Sequence, residues 1–455
     1  MSELRLTDAA VAFGGTLLNP DCTFNNVSID SRTIAKGELF VALKGERFDA
    51  HQFLPDIADK ASGLVVSTAD KSLPLPQWVV ADTTEALGQL ARMRRDQFEG
   101  VLIAITGSSG KTSVKEMISS ILRQSRSVHA TMGNLNNHIG VPLTLLSMPA
   151  NTDSAVIEMG ASGAGEISYL CAIAQPDIAL INNIQHAHIE GFGSIEAVAS
   201  AKGEIYSGLQ AEGTAVINMD LPWLESWQQS LAGRQFITFS LNQTNADFYA
   251  QNIEPLNHGG CRFQLCTGGD SPARQLIELP LPGLHSVKNA LAAAACGAAA
   301  GADLEQIAMG LSVVKPVSGR LNAVQLSAAI TLIDDTYNAN PDSFKAAIDV
   351  LSANTGYRVL VMGDMGELGD KAVELHQQVG AYALRCGINA MYSVGLLSSV
   401  ASKEFGGCHF DSKEALVTDL KRAIADRESV TILVKGSRSS GMEKVVKILS
   451  DKGMP

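Results

Sequence analysis

Excess positive charge, paired cysteines and a long apolar run are all missing from this chain, and each gap removes a class of function. Acidic residues outnumber lysine and arginine 47 to 35, a formal net charge of −12, so no broad surface for nucleic acid or an anionic membrane is expected. An anionic ligand would have to be met by local cations and helix ends. The seven cysteines (Cys22, Cys171, Cys261, Cys266, Cys296, Cys386, Cys408) are scattered, odd in number and never spaced C-x-x-C. That argues against a zinc site or a disulfide framework and for a reducing compartment, the cytoplasm. The first residues, MSELRLTDAAVAFGG, contain no apolar signal core, and the longest weakly apolar run, ALAAAACGAAAGA at 290–302, is too short to cross a bilayer. A soluble protein without membrane insertion is expected. Low-complexity tracts and fixed-period repeats are lacking too.

What the chain does have is alternation. Runs such as GELFVAL, GLVVST, VLIAIT, SAVIEMG, DIALINNI, GTAVINM, TLIDDT, RVLVMGD and VTILVKG alternate with helical stretches, the pattern of βαβ units and parallel sheets in an α/β protein. A length of 455 residues calls for roughly three domains. Boundaries fall near residue 82, where a strand passes into a long amphipathic helix, and near 312–318, where Pro316 and Gly319 follow an Ala-rich helix; the expected units are 1–82, 83–313 and 314–455. Between 236 and 282 the alternation lapses into short strands, read as a β-meander within the middle unit.

Residues 104–113 read AITGSSGKTS, and they fail the strict phosphate-loop pattern because Ile105 stands where its first glycine belongs. A glycine turn with a surface lysine is the plain alternative. As a phosphate site, the turn would present backbone N–H groups and a helix N-terminus, Lys111 would reach the outer phosphates, and the Thr112 hydroxyl could ligate Mg²⁺. Glu158 ends the next long strand, where a carboxylate can hold a metal that accompanies a nucleotide. INNIQHAHIEGFGS places His186, His188 and Glu190 at another strand end, as metal ligands or as solvated loop residues. His285 and Asn289 are four apart and share a helical face. Asp335, Tyr337 and Asn338 follow a strand and could meet a ribose and a base, and Asn340-Pro341 leads into a helix.

The shortened loop T-G-x-x-G-K-T resembles that of the Mur ligase family, and the other landmarks follow in that family's order: Glu158, His188, the Lys202-Gly-Glu segment, His285 with Asn289, Arg320, and D-D-x-Y-x-x-N-P at 334–341. The resemblance implies the three-domain Mur ligase architecture, with a central P-loop-type parallel-sheet domain and a C-terminal Rossmann-like domain. It implies an ATP-dependent amide ligase working through an acyl phosphate. ATP would be held by Thr106, Gly107, Ser108, Ser109, Gly110, Lys111, Thr112 and Ser113, with His285, Asn289, Arg320, Asp335, Tyr337, Asn338 and Asn340 around the rest of the nucleotide. Lys111, Glu158, His188, Lys202 and Arg320 would be the catalytic set. Two Mg²⁺ ions are implied, one near Thr112 and Glu158 and the other near His188 and a carbamylated Lys202. Three positions depart from the commoner pattern: Ala187 precedes His188, Ser286 replaces the first Asn after His285, and Ala50 stands where glycine is commoner.

Further stretches resemble the dipeptide-adding branch of the family. Ser31, Arg32, Lys44, Asp49 and His51 lie in the expected uridine-diphosphate region, and Asn134, Asn136 and Asn137 in the muramyl-peptide region. VMGDMGELG, with Lys435, Ser437 and Arg438 of VKGSR, occupies the last domain, which lacks the Asp-Asn-Pro-Arg motif of the diaminopimelate-adding members. The implied partners are UDP-N-acetylmuramoyl-tripeptide and D-alanyl-D-alanine, with a monomer expected and no nucleic acid. Two rivals are a folylpolyglutamate synthetase, which lacks a domain ahead of its loop, and a nucleotide switch, which would release phosphate without an amine acceptor. The third residue of the tripeptide, diaminopimelate or lysine, stays open.

Overall fold

The computed structural model describes residues 3–186, 189–256, 259–269 and 271–451. Among these, three large sheets follow one another along the chain, besides a two-stranded ribbon of Leu4–Arg5 with Thr23–Phe24. The first has five strands in the order 16–18, 77–79, 63–66, 39–41 and 27–28, parallel apart from the outermost pair formed by 16–18 and 77–79. Helix Thr83–Asp96 then leads away, started by Asp82, whose carboxylate accepts from the N–H groups of Thr84 and Glu85. Buried Arg95 in its last turn donates to Ala174 O (2.7 Å) and Phe98 O (2.9 Å) and pairs with Asp177 (3.0 Å), tying the helix to the second sheet.

The second sheet has nine strands, in the order 274–279, 260–267, 248–256, 235–240, 214–218, 178–181, 101–106, 154–158 and 128–130. It is parallel from 128–130 as far as 248–256, and the last three strands form an antiparallel meander. The meander is therefore shorter than the sequence pattern suggests, since 235–240 still pairs in parallel with 214–218. Strand Val101–Thr106, buried from Leu102 onward, lies between 178–181 and 154–158. The order in which strands are added reverses at it, with 128–130 and 154–158 on one side and 178–181 and 214–218 on the other, and the crevice outside its C-terminal end is where an open α/β sheet binds ligands. Helices Lys111–Leu122, Leu284–Ala299 and Leu304–Ser312 pack close together on one face. The approach is tight enough that a Cβ on Gly310 would lie 2.4 Å from Ile121 Cα.

The third sheet orders its strands 322–327, 330–335, 430–435, 357–363, 390–394 and 408–410, with one antiparallel hairpin at its edge and parallel pairing elsewhere. Parallel register sets Asp335 beside Lys435 at adjoining strand ends. Helix Pro341–Ser352 starts immediately after, with Asn340 and Ser343 in a reciprocal capping box and proline in the first turn. No helix among the described residues is long and apolar enough to cross a membrane.

Candidate active site

Strand Val101–Thr106 ends on Thr106, whose hydroxyl donates to Met159 O (2.9 Å), and the chain turns through Gly110 into helix Lys111–Leu122. Gly110 has φ +73°, and a Cβ there would stand 2.7 Å from Asn182 Nδ2 and 2.9 Å from Asn289 Oδ1. Backbone and space both require glycine. The neighbouring strand end grips the loop: Ser108 N–H donates to Asn183 O (3.1 Å), Ser109 N–H to Asn183 Oδ1 (2.9 Å), and Ser109 O accepts from Asn182 and Asn183 (3.1 and 3.0 Å). Asn182 Nδ2 also donates to Asn289 Oδ1 (2.9 Å), which attaches the Ala-rich helix to the loop. The ammonium of Lys111 folds back on Gly107 O (2.8 Å). Burial lowers its pKa, Glu158 partly opposes that shift and Arg320 adds to it.

Glu158 is buried, and both its oxygens are engaged. Thr112 Oγ1 donates to Oε2 (2.7 Å) and Asn136 Nδ2 to Oε1 (2.8 Å). One carboxylate thus links the loop, the strand it ends and the segment that carries Asn134, Asn136 and Asn137. Of those three, Asn137 lies just ahead of helix Gly140–Leu146, its Oδ1 accepting from Gly140 N–H (2.9 Å).

These residues form one wall of a cavity of about 510 Å³, and the third sheet supplies the opposite wall. There the Arg320 guanidinium lies 4.1 Å from the Tyr337 ring centroid, and its Nε is a buried donor without a hydrogen-bond partner among the described residues. Asp335 Oδ2 pairs with Lys435 (2.6 Å) and its Oδ1 accepts from Leu321 N–H (3.2 Å); Lys435 also donates to Asn338 O (2.9 Å). His285 lines the same end, its pKa lowered by burial with Asp335 opposing. Asn340 reaches the cavity wall, but its side chain is used as the helix cap, accepting from Ser343 N–H (2.7 Å).

Other residues singled out in the sequence lie elsewhere. His188 falls outside the described residues. Lys202 does not line the cavity; it is 1% exposed, its ammonium sits 6.0 Å from the Phe192 ring centroid, and among the described residues it makes no hydrogen bond or ion pair. Burial first, then repulsion from Lys111, pull its pKa down to about 7, with Glu166 opposing. Ser31, Arg32, Lys44, Asp49 and His51 belong to the first sheet and its loops. There Arg32 pairs with Asp30 (2.6 Å), Lys44 stands 3.8 Å from Asp49, and His51 is held by Asp49 (2.6 Å) and by Ser67 N–H (2.9 Å). Lys435 is separated from its sequence neighbours: Ser437 is buried beside Asp364 O (2.8 Å), Arg438 is exposed, and neither lines the cavity.

The structure adds groups that the sequence reading passed over. Asn182 and Asn183 grip the loop, and Glu116, Glu166 and Lys288 line the cavity. The asparagines follow a strand directly, so a polar pair at a parallel-strand end was an available signal. Glu166 and Lys288 sit in ordinary helical sequence and carried none.

A glycine turn, cations that include Lys111, Arg320 and Lys435, and a carboxylate–hydroxyl pair around one cavity suit a polyphosphate and the hard cation that accompanies it. Family models agree: the Mur ligase middle domain matches residues 105–297, and the Mur ligase, glutamate ligase domain matches 319–438. UDP-N-acetylmuramoyl-tripeptide–D-alanyl-D-alanine ligase of Escherichia coli K12 is 46% identical over 455 residues, the whole of both chains. A crystal structure of MurF from Acinetobacter baumannii superposes with a TM-score of 0.93 at 36% identity, covering 99% of this chain and 100% of that one. MurF ligase from Thermotoga maritima in complex with ADP gives 0.83 at 27% identity, covering 94% and 97%.

Gly110→Ala tests the loop. Left-handed backbone costs a non-glycine residue about 1–2 kcal/mol, and the Asn182–Asn289 bond leaves no room, so the loop must shift: affinity for a non-hydrolysable ATP analogue should fall by about tenfold or more in calorimetry, with a modest drop in melting temperature. Unchanged affinity would remove the loop from nucleotide binding.

Proposed function

The chain belongs to the Mur ligase family, and on that premise we propose that it uses ATP to join D-alanyl-D-alanine to UDP-N-acetylmuramoyl-tripeptide in peptidoglycan precursor synthesis. The observation that carries this reading is the Thr112–Glu158–Asn136 chain, which sets the nucleotide loop and the muramyl-peptide segment on the same carboxylate. Full-length similarity extends through the residues ahead of the loop, which favours it over a folylpolyglutamate synthetase. In this reading residues 1–82 take the uridine-diphosphate end, 83–313 the phosphates, and 314–455 the rest of ATP and the dipeptide.

A carboxylate does not condense with an amine because its oxide is a poor leaving group. A carboxylate oxygen of the tripeptide therefore attacks the γ-phosphorus of ATP, the bond to ADP breaks, and an acyl phosphate forms. The dipeptide amine then attacks the carbonyl carbon, phosphate leaves with that oxygen, and the amine proton is lost. Lys111 and Arg320, which both line the cavity, would offset phosphate charge, and positioning of the reactants would supply the rest.

Mg²⁺ fits the donors on the first wall: the Thr112 hydroxyl and Glu158 carboxylate are hard oxygens 2.7 Å apart. An ion held there would complete its shell with phosphate and water. Such an ion would neutralise charge on the transferring phosphate. Lys202 fits carbamylation: its amine is buried, unpaired among the described residues and half neutral near pH 7. Addition of the neutral amine to CO₂, with loss of a proton, turns a misplaced cation into a carboxylate-like anion.

Two outcomes are expected. With UDP-N-acetylmuramoyl-tripeptide present, phosphate release should require D-alanyl-D-alanine and yield an amide product, while free diaminopimelate should not be ligated; equal ligation of both would contradict the assignment, and acceptor-independent release would favour a nucleotide switch. Lys202→Ala should lose most activity, on the order of 10² or more, with partial recovery in added acetate. Wild-type enzyme in labelled bicarbonate should show a carbamate carbon resonance that is absent from Lys202→Ala and weakens as pH falls below about 7, where the amine protonates. Full activity of Lys202→Ala without carbonate would exclude the modification.

A further inference from the structure

Helix Lys111–Leu122 carries a second lysine, Lys115, one turn beyond Lys111 and unused in the chemistry above. Its side chain is only 4% exposed, and its ammonium donates to Thr131 O (2.5 Å) and stands 2.8 Å from Glu116 Oε1. A charge is tolerated in such a place only when it is paired and hydrogen-bonded, so these two acceptors account for its presence.

Thr131, just past strand Val128–Ala130, is buried and bonded to the neighbouring strand twice. Its N–H donates to Val156 O (3.1 Å), and its Oγ1 accepts from Glu158 N–H (2.9 Å). The segment that leaves Thr131 returns to the same place, with Asn136 Nδ2 on Glu158 Oε1 (2.8 Å) and Asn136 O accepting from Gly160 N–H (2.8 Å). Two side-chain ties thus connect the phosphate-loop helix to this segment and its root: Thr112 to Glu158, and Lys115 to Thr131. The first is made by the very oxygens proposed to hold Mg²⁺, so metal binding would exchange it. The second involves none of them.

We infer that Lys115 is a positioning residue: it fixes the Asn134–Asn137 segment against the phosphate-loop helix through Thr131, and so sets the affinity for the tripeptide nucleotide. This rests on the proposed function, in which that segment meets the muramyl peptide.

The test compares wild type, Lys115→Met and Thr131→Val as full chains, by steady-state kinetics, thermal unfolding, and calorimetric binding of UDP-N-acetylmuramoyl-tripeptide without metal. For Lys115→Met the expected result is a rise of about tenfold or more in KM and Kd for the tripeptide nucleotide, with KM for ATP within about twofold of wild type and little change in melting. Thr131→Val, which keeps the lysine and its carbonyl acceptor, should raise the same two constants by a smaller factor. Unchanged constants in a folded Lys115→Met would overturn the inference, as would a parallel rise in both KM values together with lowered stability. If Lys115→Met does not fold, the same constants are read in Lys115→Gln, which removes the ammonium but keeps a polar end, and unchanged constants there overturn it. Failure of the wild type to couple the dipeptide would instead overturn the functional reading, and the same assay reports it separately.

Discussion

A buried carboxylate that must be hydrogen-bonded is the constraint on which the site depends. Glu158 is 2% exposed, and an ionised carboxylate so placed is costly unless its oxygens are satisfied. Thr112 and Asn136 satisfy them, so the start of one helix and a loop from another part of the chain are drawn to a single strand end. The glycine turn then has little freedom. It is bounded by Thr112 on one side and by Asn182, Asn183 and Asn289 on the other, and Gly110 adopts the one backbone conformation that fits between them.

The opposite wall obeys similar physics with another pair. Asp335 and Lys435 are nearly buried and 2.6 Å apart, at adjoining ends of parallel strands, so each supplies the counter-charge the other needs. Arg320 differs: it lies over the Tyr337 ring, and among the described residues its Nε has no hydrogen-bond partner. A free buried donor at a cavity wall is costly to keep and available to an anionic ligand. The two walls thus face each other with paired groups that set the geometry and, at Lys111 and Arg320, cations that the proposed function assigns to substrate phosphate.

Much of this was legible in the sequence because it is local. Alternating apolar runs marked the strands, and the glycines and Lys-Thr of GSSGKT marked a turn into a helix, which begins at Lys111 as the pattern implies. Glu158 was readable as the last residue of a buried strand. What stayed hidden depends on contacts between distant segments. Asn182 and Asn183 matter because Val101–Thr106 pairs with Ile178–Ile181, and no spacing announces that pairing. Lys435 and Ser437 look equivalent in VKGSR, yet Lys435 is the last residue of its strand, beside Asp335, while Ser437 lies beyond the turn, beside Asp364. Asn340-Pro341-Asp342-Ser343 carries a helix-start signature, and its capping role was readable from that alone. Lys115 had no signal, because a lysine in an amphipathic helix is normally solvated.

The central claim is that this cavity activates a carboxylate by phosphorylation before the amine arrives. It is tested most directly by tripeptide nucleotide labelled with oxygen-18 in its terminal carboxylate, turned over with ATP and D-alanyl-D-alanine, and the isotope content of the released phosphate. Transfer through an acyl phosphate predicts one labelled oxygen in each phosphate released. Unlabelled phosphate accompanying amide formation would contradict the account.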